Sequence, residues 1–164
     1  MSMENEMNQI YRGIAETVNE MIPEEWHTFY YYAQISETGG GTYFFYNTPD
    51  DENDFKYSLE IPFNYAIDKE QYKKKDRALF ELSDKLRRIF ISHEQEPWYS
   101  FTFSLDRNGK FKIHYDYTNW FDTKYSFDDQ LLIWEYKYLG KEPKDGMGKE
   151  LINRYLEEYP ENPI

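Results

Sequence analysis

Hydrophobic and polar residues alternate strictly on both sides of Asn108-Gly109. Tyr99, Phe101, Phe103 and Leu105 interleave with Trp98, Ser100, Thr102 and Ser104. Past the glycine, Phe111, Ile113, Tyr115 and Tyr117 interleave with Lys110, Lys112, His114 and Asp116. A period of two on both arms of an Asn-Gly predicts a β-hairpin. A two-residue loop would set Leu105 opposite Lys112 and mix apolar with polar side chains on each face. A three-residue loop, Arg107-Asn108-Gly109, sets Leu105 opposite Phe111, Phe103 opposite Ile113, Phe101 opposite Tyr115 and Tyr99 opposite Tyr117. Only the second register leaves one continuous apolar face, and it puts Gly109 at the left-handed position of such a loop. The other face then pairs Ser104 with Lys112, Thr102 with His114 and Ser100 with Asp116, and is expected to be wet or covered by something polar.

The rest of the chain reads in order from the same patterns. Met3, Met7, Ile10, Ile14, Val18 and Met21 recur at helical spacing, and Pro23 ends that helix. Trp26–Ser36 alternates as a strand, with Phe29, Tyr31, Ala33 and Ile35 on one side and Thr28, Tyr30, Tyr32 and Gln34 on the other. Gly39-Gly40-Gly41 is expected to be the loop of a hairpin whose second arm is Tyr43–Thr48. It lacks the Lys-Ser/Thr of a phosphate cradle and opens no helix. Pro49–Asp54, PDDEND, reads as an acidic hairpin tip without the glycine and glutamate spacing of a calcium loop. Lys56–Phe63 is expected as a third strand with Tyr57, Leu59, Ile61 and Phe63 inward. Asp68–Ser92 is the longest helix, with Asp68 as N-cap. Its bases, Lys73, Lys74, Lys75, Arg77, Lys85, Arg87 and Arg88, are expected to form charge pairs and a solvated face. After the central hairpin, Trp120 and Phe121 are expected to fold back on the sheet. Helices follow at Phe127–Leu139, capped by Ser126 or Asp128, and at Lys149–Tyr159. The order α-β-β-β-α-β-β-α-α predicts an α+β fold: an antiparallel sheet of about five strands with helices mainly on one face. No repeat or linker divides the chain, so residues 1–164 are expected to form one domain.

Charge narrows the choice of partners. The chain has 31 Asp and Glu against 19 Lys and Arg, a net charge of −12, which disfavours bare nucleic acid and anionic membrane. The same field steers basic partners inward. There is no cysteine, which excludes disulfides and thiolate metal sites and fits a reducing compartment. With no leader pattern and no apolar run long enough for a bilayer, the expectation is a cytoplasmic protein.

Reaction chemistry is scarce. No GxSxG, HExxH, P-loop or dinucleotide fingerprint occurs, and His27, His93 and His114 lie in three separate elements. His93 near Glu94 and Glu96 lacks the second histidine of a helical metal site. No cofactor is implied. His114 beside Asp116 is the one pair that would suit a small-molecule site or an enzyme. A homodimeric adaptor, joined through the tyrosine-rich strand, is a third alternative.

Three stretches together carry a family resemblance: the helix running into IPEEW (22–26), the segment WYSFTF (98–103), and DRNGKFKIHYDY (106–117). With the tyrosine-rich strand, acidic hairpin and long amphipathic helix between them, the chain resembles the YezG-like immunity proteins over roughly residues 10–156. The resemblance implies a cytoplasmic, non-catalytic antitoxin for polymorphic toxins exported by type VII secretion, binding the toxin domain, typically a nuclease. A nuclease groove is cationic because it holds phosphates, so an acidic and aromatic surface would occupy it. The expected contacts are Asp50, Asp51, Glu52 and Asp54 at the tip, then Asp116, Trp120, Asp122, Asp128 and Asp129.

Overall fold

The computed structural model describes residues 2–164. Helix α1 (Met3–Met21) starts where the Ser2 hydroxyl accepts the Asn5 amide and buries Ile10, Ile14, Val18 and Met21. Strands β1 (Thr28–Ser36), β2 (Gly39–Thr48) and β3 (Asp51–Tyr57) follow as a meander. Helix α2 (Ile61–Asn64) is a single turn. Helix α3 (Lys69–Ser92) is capped by the Asp68 carboxylate, which accepts from the Glu70 and Gln71 amides. Strands β4 (Ser100–Asp106) and β5 (Phe111–Asp116) form the hairpin. Helix α4 (Phe127–Leu139) opens on a capping box between Ser126 and Asp129 and ends at Gly140 in the left-handed region; α5 (Gly146–Glu158) is capped by Asp145. The sheet is antiparallel with order β3-β2-β1-β4-β5, so the fold is the expected α+β arrangement in the expected element order.

The hairpin has the three-residue loop. Leu105 pairs with Phe111, Phe103 with Ile113, Phe101 with Tyr115, Thr102 with His114 and Ser100 with Asp116. Gly109 sits at φ +81°, where a side chain would be strained. The ladder closes at Ser100–Asp116, one pair before Tyr99 and Tyr117.

Two cores sandwich the sheet, so helices cover both of its faces rather than mainly one. On one face, α1 and α3 pack on Phe29, Tyr31, Ala33, Ile35, Phe44, Phe101 and Phe103. Ser83 is completely buried on α3, and its hydroxyl hydrogen-bonds that of Tyr31 at 2.8 Å. On the opposite face, α4 sets Trp134 flat against Tyr32 and Phe45, with ring centroids 5.4 and 5.1 Å apart. Its indole N–H donates to the Thr102 hydroxyl at 2.8 Å. The second face is therefore wet only toward the tip of the β4–β5 hairpin, where Ser104, Lys110, Lys112 and His114 stand. Trp120 is buried against Tyr125, Tyr155 and Tyr159, while Phe121 stays exposed.

Three segments differ from expectation. The third strand covers the acidic stretch and stops at Tyr57 instead of running over 56–63. Ser58 ends it by accepting the Phe44 amide on its hydroxyl, and Pro62 then favours the helical turn it opens. Of the residues expected inward, Ile61 is buried, whereas Leu59 and Phe63 are 48% and 84% exposed. The glycine run belongs to β2 rather than to a loop. A Cβ on Gly40, at φ +157°, would lie 1.8 Å from the Gln34 carbonyl oxygen, so this glycine permits close strand approach. The bases of α3 are divided: Arg87 is buried and donates to the Trp98 carbonyl, while Lys75 pairs with Glu20 and Arg88 with Asp84.

The IPEEW segment is pinned by Glu24. Its carboxylate accepts from Tyr46 at 2.6 Å, from Lys56 at 2.9 Å and from the Tyr65 hydroxyl. Burial pushes its pKa up, but these hydrogen bonds and the Lys56 charge outweigh that, leaving the carboxyl below the usual glutamate range. A depressed folded-state pKa stabilises above the unfolded value and loses that contribution as pH falls through the folded one. Glu24→Gln is therefore expected to lower stability at neutral pH and to flatten the acid limb of a melting profile below the glutamate range. An unchanged limb would show that Glu24 does not carry it.

Candidate functional site

The acidic stretch lies on a sheet edge. Asp50 occupies the β2–β3 turn and Asp51, Glu52 and Asp54 lie on β3, all exposed. Local geometry fixes the stretch: the buried Asn47 donates to the Glu52 carbonyl at 2.9 Å and accepts the Thr28 amide at 2.8 Å, tying β3 to β1 across a bulge in β2. Glu52 also lies 3.1 Å from His27. Among the described residues no strand pairs with the outer side of β3.

At the far end of β3 the acidity continues. Burial first, and then Tyr43, Glu135, Glu60 and Asp128, push the Tyr57 phenol upward, so these carboxylates lie within electrostatic reach of it. Tyr57 stacks on Phe45 at 4.5 Å, Phe55 packs against Tyr30, and Phe127 packs against Tyr43 at 4.8 Å. Past the end of β3, Leu59 and Phe63 are exposed on the two turns that follow it. The edge thus combines carboxylates with aromatic and apolar side chains. Glu60, Glu135, Leu59 and Phe63 escape a reading by sequence, because a strand through residue 63 would turn the apolar pair inward. The only hint is Ser58 four residues ahead of Pro62.

The expected contact residues are distributed unequally. Asp50, Asp51, Glu52, Asp54 and Asp128 lie along this edge. Asp129 is half-buried and spent on the α4 capping box. Asp122 is exposed on the turn Trp120–Asp122, accepting from the Asn119 side chain at 2.9 Å. Asp116 and Trp120 are not surface residues: at 3% and 2% exposure they bond each other, the indole N–H donating to the carboxylate at 2.6 Å. The Thr118 amide and Ser100 hydroxyl complete that carboxylate's shell. Alternation marks Asp116 as polar-face, but a carboxylate holding an indole looks the same in sequence as a solvated one.

Those contacts also take Asp116 away from His114. The His114 Nε2 lies 2.6 Å from the Pro163 carbonyl oxygen, and the histidine borders an open groove of about 590 Å³ between the β4–β5 hairpin and α4. The acid–base pair is not assembled. The tyrosine-rich β1 is the central strand with partners on both sides, so it offers no edge for a homodimer. Among the described residues there is no cluster of three potential metal ligands, and no helix is long and apolar enough to cross a membrane.

By fold and surface this is an acidic α+β protein whose sheet lies between two helical layers and presents a carboxylate-rimmed edge. The chain belongs to the YezG-like immunity protein family, whose pattern matches residues 7–153. It is 34% identical over 150 residues to Immunity protein YezG of Bacillus subtilis (strain 168), covering 92% of this chain and 99% of that protein. The Immunity protein YezG of Bacillus spizizenii is 34% identical over 156 residues, 93% of this chain and 92% of its own. The Type VII secretion system protein EsaG of Staphylococcus aureus is 31% identical over 144 residues, 88% of each chain.

Proposed function

We propose that this protein is a cytoplasmic antitoxin that neutralises a cognate toxin domain, a basic nuclease, by covering its substrate groove with the acidic edge of β3. The observation that carries this reading is the free edge itself: Asp50, Asp51, Glu52 and Asp54 lead along it toward Asp128, in a chain of net charge −12. A surface that binds phosphates is cationic, and an acidic rim opposite it accelerates encounter while apolar anchors slow release. Leu59 and Phe63 supply such anchors.

The test uses the toxin domain recovered with the protein at low salt, assayed as a nuclease. Asp50→Asn, Asp51→Asn, Glu52→Gln and Asp54→Asn combined are expected to slow association by about 10–100-fold at low salt, an effect that shrinks as salt screens the field. The melting temperature is expected to hold, because these side chains are exposed. Full-speed association and inhibition by the neutralised variant would refute the acidic edge. A bound toxin domain that degrades no nucleic acid would refute the nuclease.

A further inference from the structure

The opposite edge of the sheet has the reverse character. Lys110, Lys112 and His114 follow one another on one face of β5, beside the 590 Å³ groove, with Lys137 across from them on α4. Asp106 is the only carboxylate among the residues lining it, and that carboxylate accepts the Asn108 and Lys110 amides. Among the described residues neither Lys110 nor Lys112 makes an ion pair. Lys137 is largely spent, donating to the main-chain oxygens of Asn162 and Ile164 and lying within reach of the Asp116 charge, so Lys110 and Lys112 carry the positive character. In a chain with 31 acids, a groove so short of them is a local inversion of charge.

The backbone beside this groove is unpaired. Asp106 donates to the Lys110 carbonyl at 3.2 Å, and antiparallel alternation then turns the Lys112 and His114 backbone groups toward β4. The amides and carbonyls of Phe111, Ile113 and Tyr115 point away from the sheet. Among the described residues no backbone hydrogen bond reaches them, and β5 is the last strand in the order. On the face away from the groove, Phe111 is 40% exposed.

We infer that the outer edge of β5 and its cationic groove accept an extended polypeptide segment that adds as a sixth strand, with carboxylates at alternate positions. Strand addition supplies main-chain hydrogen bonds, and side chains of alternate parity supply specificity. Residues of one parity face Lys112 and His114; those of the other lie beside Phe111, which favours apolar side chains. Two copies of β5 paired with each other would set lysines near lysines, so a second β5 is a poor occupant. The surface is separate from the β3 edge and does not depend on what binds there.

The probe is a fluorescent nine-residue peptide alternating Glu with Val, titrated into the whole chain by polarisation. Saturable binding is expected, with loss of at least tenfold in affinity for a peptide alternating Lys with Val. Lys112→Glu is expected to weaken binding tenfold or more. Ile113→Pro removes an outward amide at an edge position that tolerates proline, and is expected to abolish binding. The Ile113 amide of the native chain is expected to gain hydrogen-exchange protection when the peptide is added, a readout that survives if the proline variant misfolds. Failure of the Glu peptide to bind overturns the inference. So does binding that leaves Ile113 unprotected. Preference for a single-stranded oligonucleotide would reassign the groove to phosphates, and self-association abolished by Lys112→Glu would reassign it to a second copy.

Discussion

Trp134→Ala is expected to lower the stability of the protein by about 3–5 kcal/mol, the largest loss among the substitutions considered. The indole is completely buried and touches four rings: stacked on Tyr32 and Phe45, edge-on to Tyr30 and tilted against Tyr138. Its removal leaves a large cavity between α4 and the sheet and strips the Thr102 hydroxyl of its partner. For a chain of this size the melting temperature falls by on the order of 10 °C. Trp134→Phe keeps a ring in the site and loses the N–H, so it is expected to recover more than half of the loss. Urea denaturation followed by circular dichroism checks both, with unchanged slopes as the sign that stability alone has moved. A loss under about 1 kcal/mol for the alanine variant would mean that α4 is not part of the core.

Asp116→Ala is expected to cost about 3 kcal/mol, while Asp122→Ala, six residues on, stays within about 0.5 kcal/mol. The two look alike in sequence: both are aspartates in an aromatic, turn-rich stretch. Asp116 is buried and accepts the Trp120 indole, the Thr118 amide and the Ser100 hydroxyl. Without it, donors remain in a site that water does not reach, and that desolvation is the source of the loss. The Trp120→Phe background removes the main donor, so the penalty for Asp116→Ala should shrink there; additive losses would show that the pair is not coupled. With both variants held folded, the Asp116 change is expected to leave toxin association rates where they were. A slowed association at full foldedness would make Asp116 a contact after all.

What the sequence discloses and what it withholds divide along physical lines. The hairpin register was legible because a slip of one residue would invert every side chain, and only one loop length avoids that. The start of α3 was legible from Asp68 and that of α4 was narrowed to Ser126 or Asp128, of which Ser126 is the cap, because such side chains satisfy amides that the helix itself leaves open. The end of β3 was hidden. Tyr57, Leu59, Ile61 and Phe63 alternate as a strand does, yet the Ser58 hydroxyl takes the Phe44 amide and the chain turns. The cover on the second face was hidden too, although Tyr30 and Tyr32 opposite Phe29 and Tyr31 already placed aromatics on both sides of β1. As for the candidate site, the acids of the β2–β3 turn were found by clustering alone. Glu60, Glu135, Leu59 and Phe63 reach the same edge only through the fold, and Asp116 and Trp120 leave the surface for the same reason.

The strand order also dictates a sequence of events during synthesis. β1, β2 and β3 pair with near neighbours, but the β1–β4 ladder joins residues 28–34 to residues 100–106, across all of α3. Such a closure is slow relative to local hairpins, and the N-terminal part emerges from the ribosome first. Until β4 arrives, β1 is a bare edge carrying Phe29, Tyr31 and Tyr32, the kind of surface on which chains aggregate. Both α1 and α3 precede β4 in the chain, so the helix layer that covers one side of β1 is synthesised before that arrival. The other side waits for Trp134, so nascent chains that stall ahead of α4 are the ones a chaperone would hold longest.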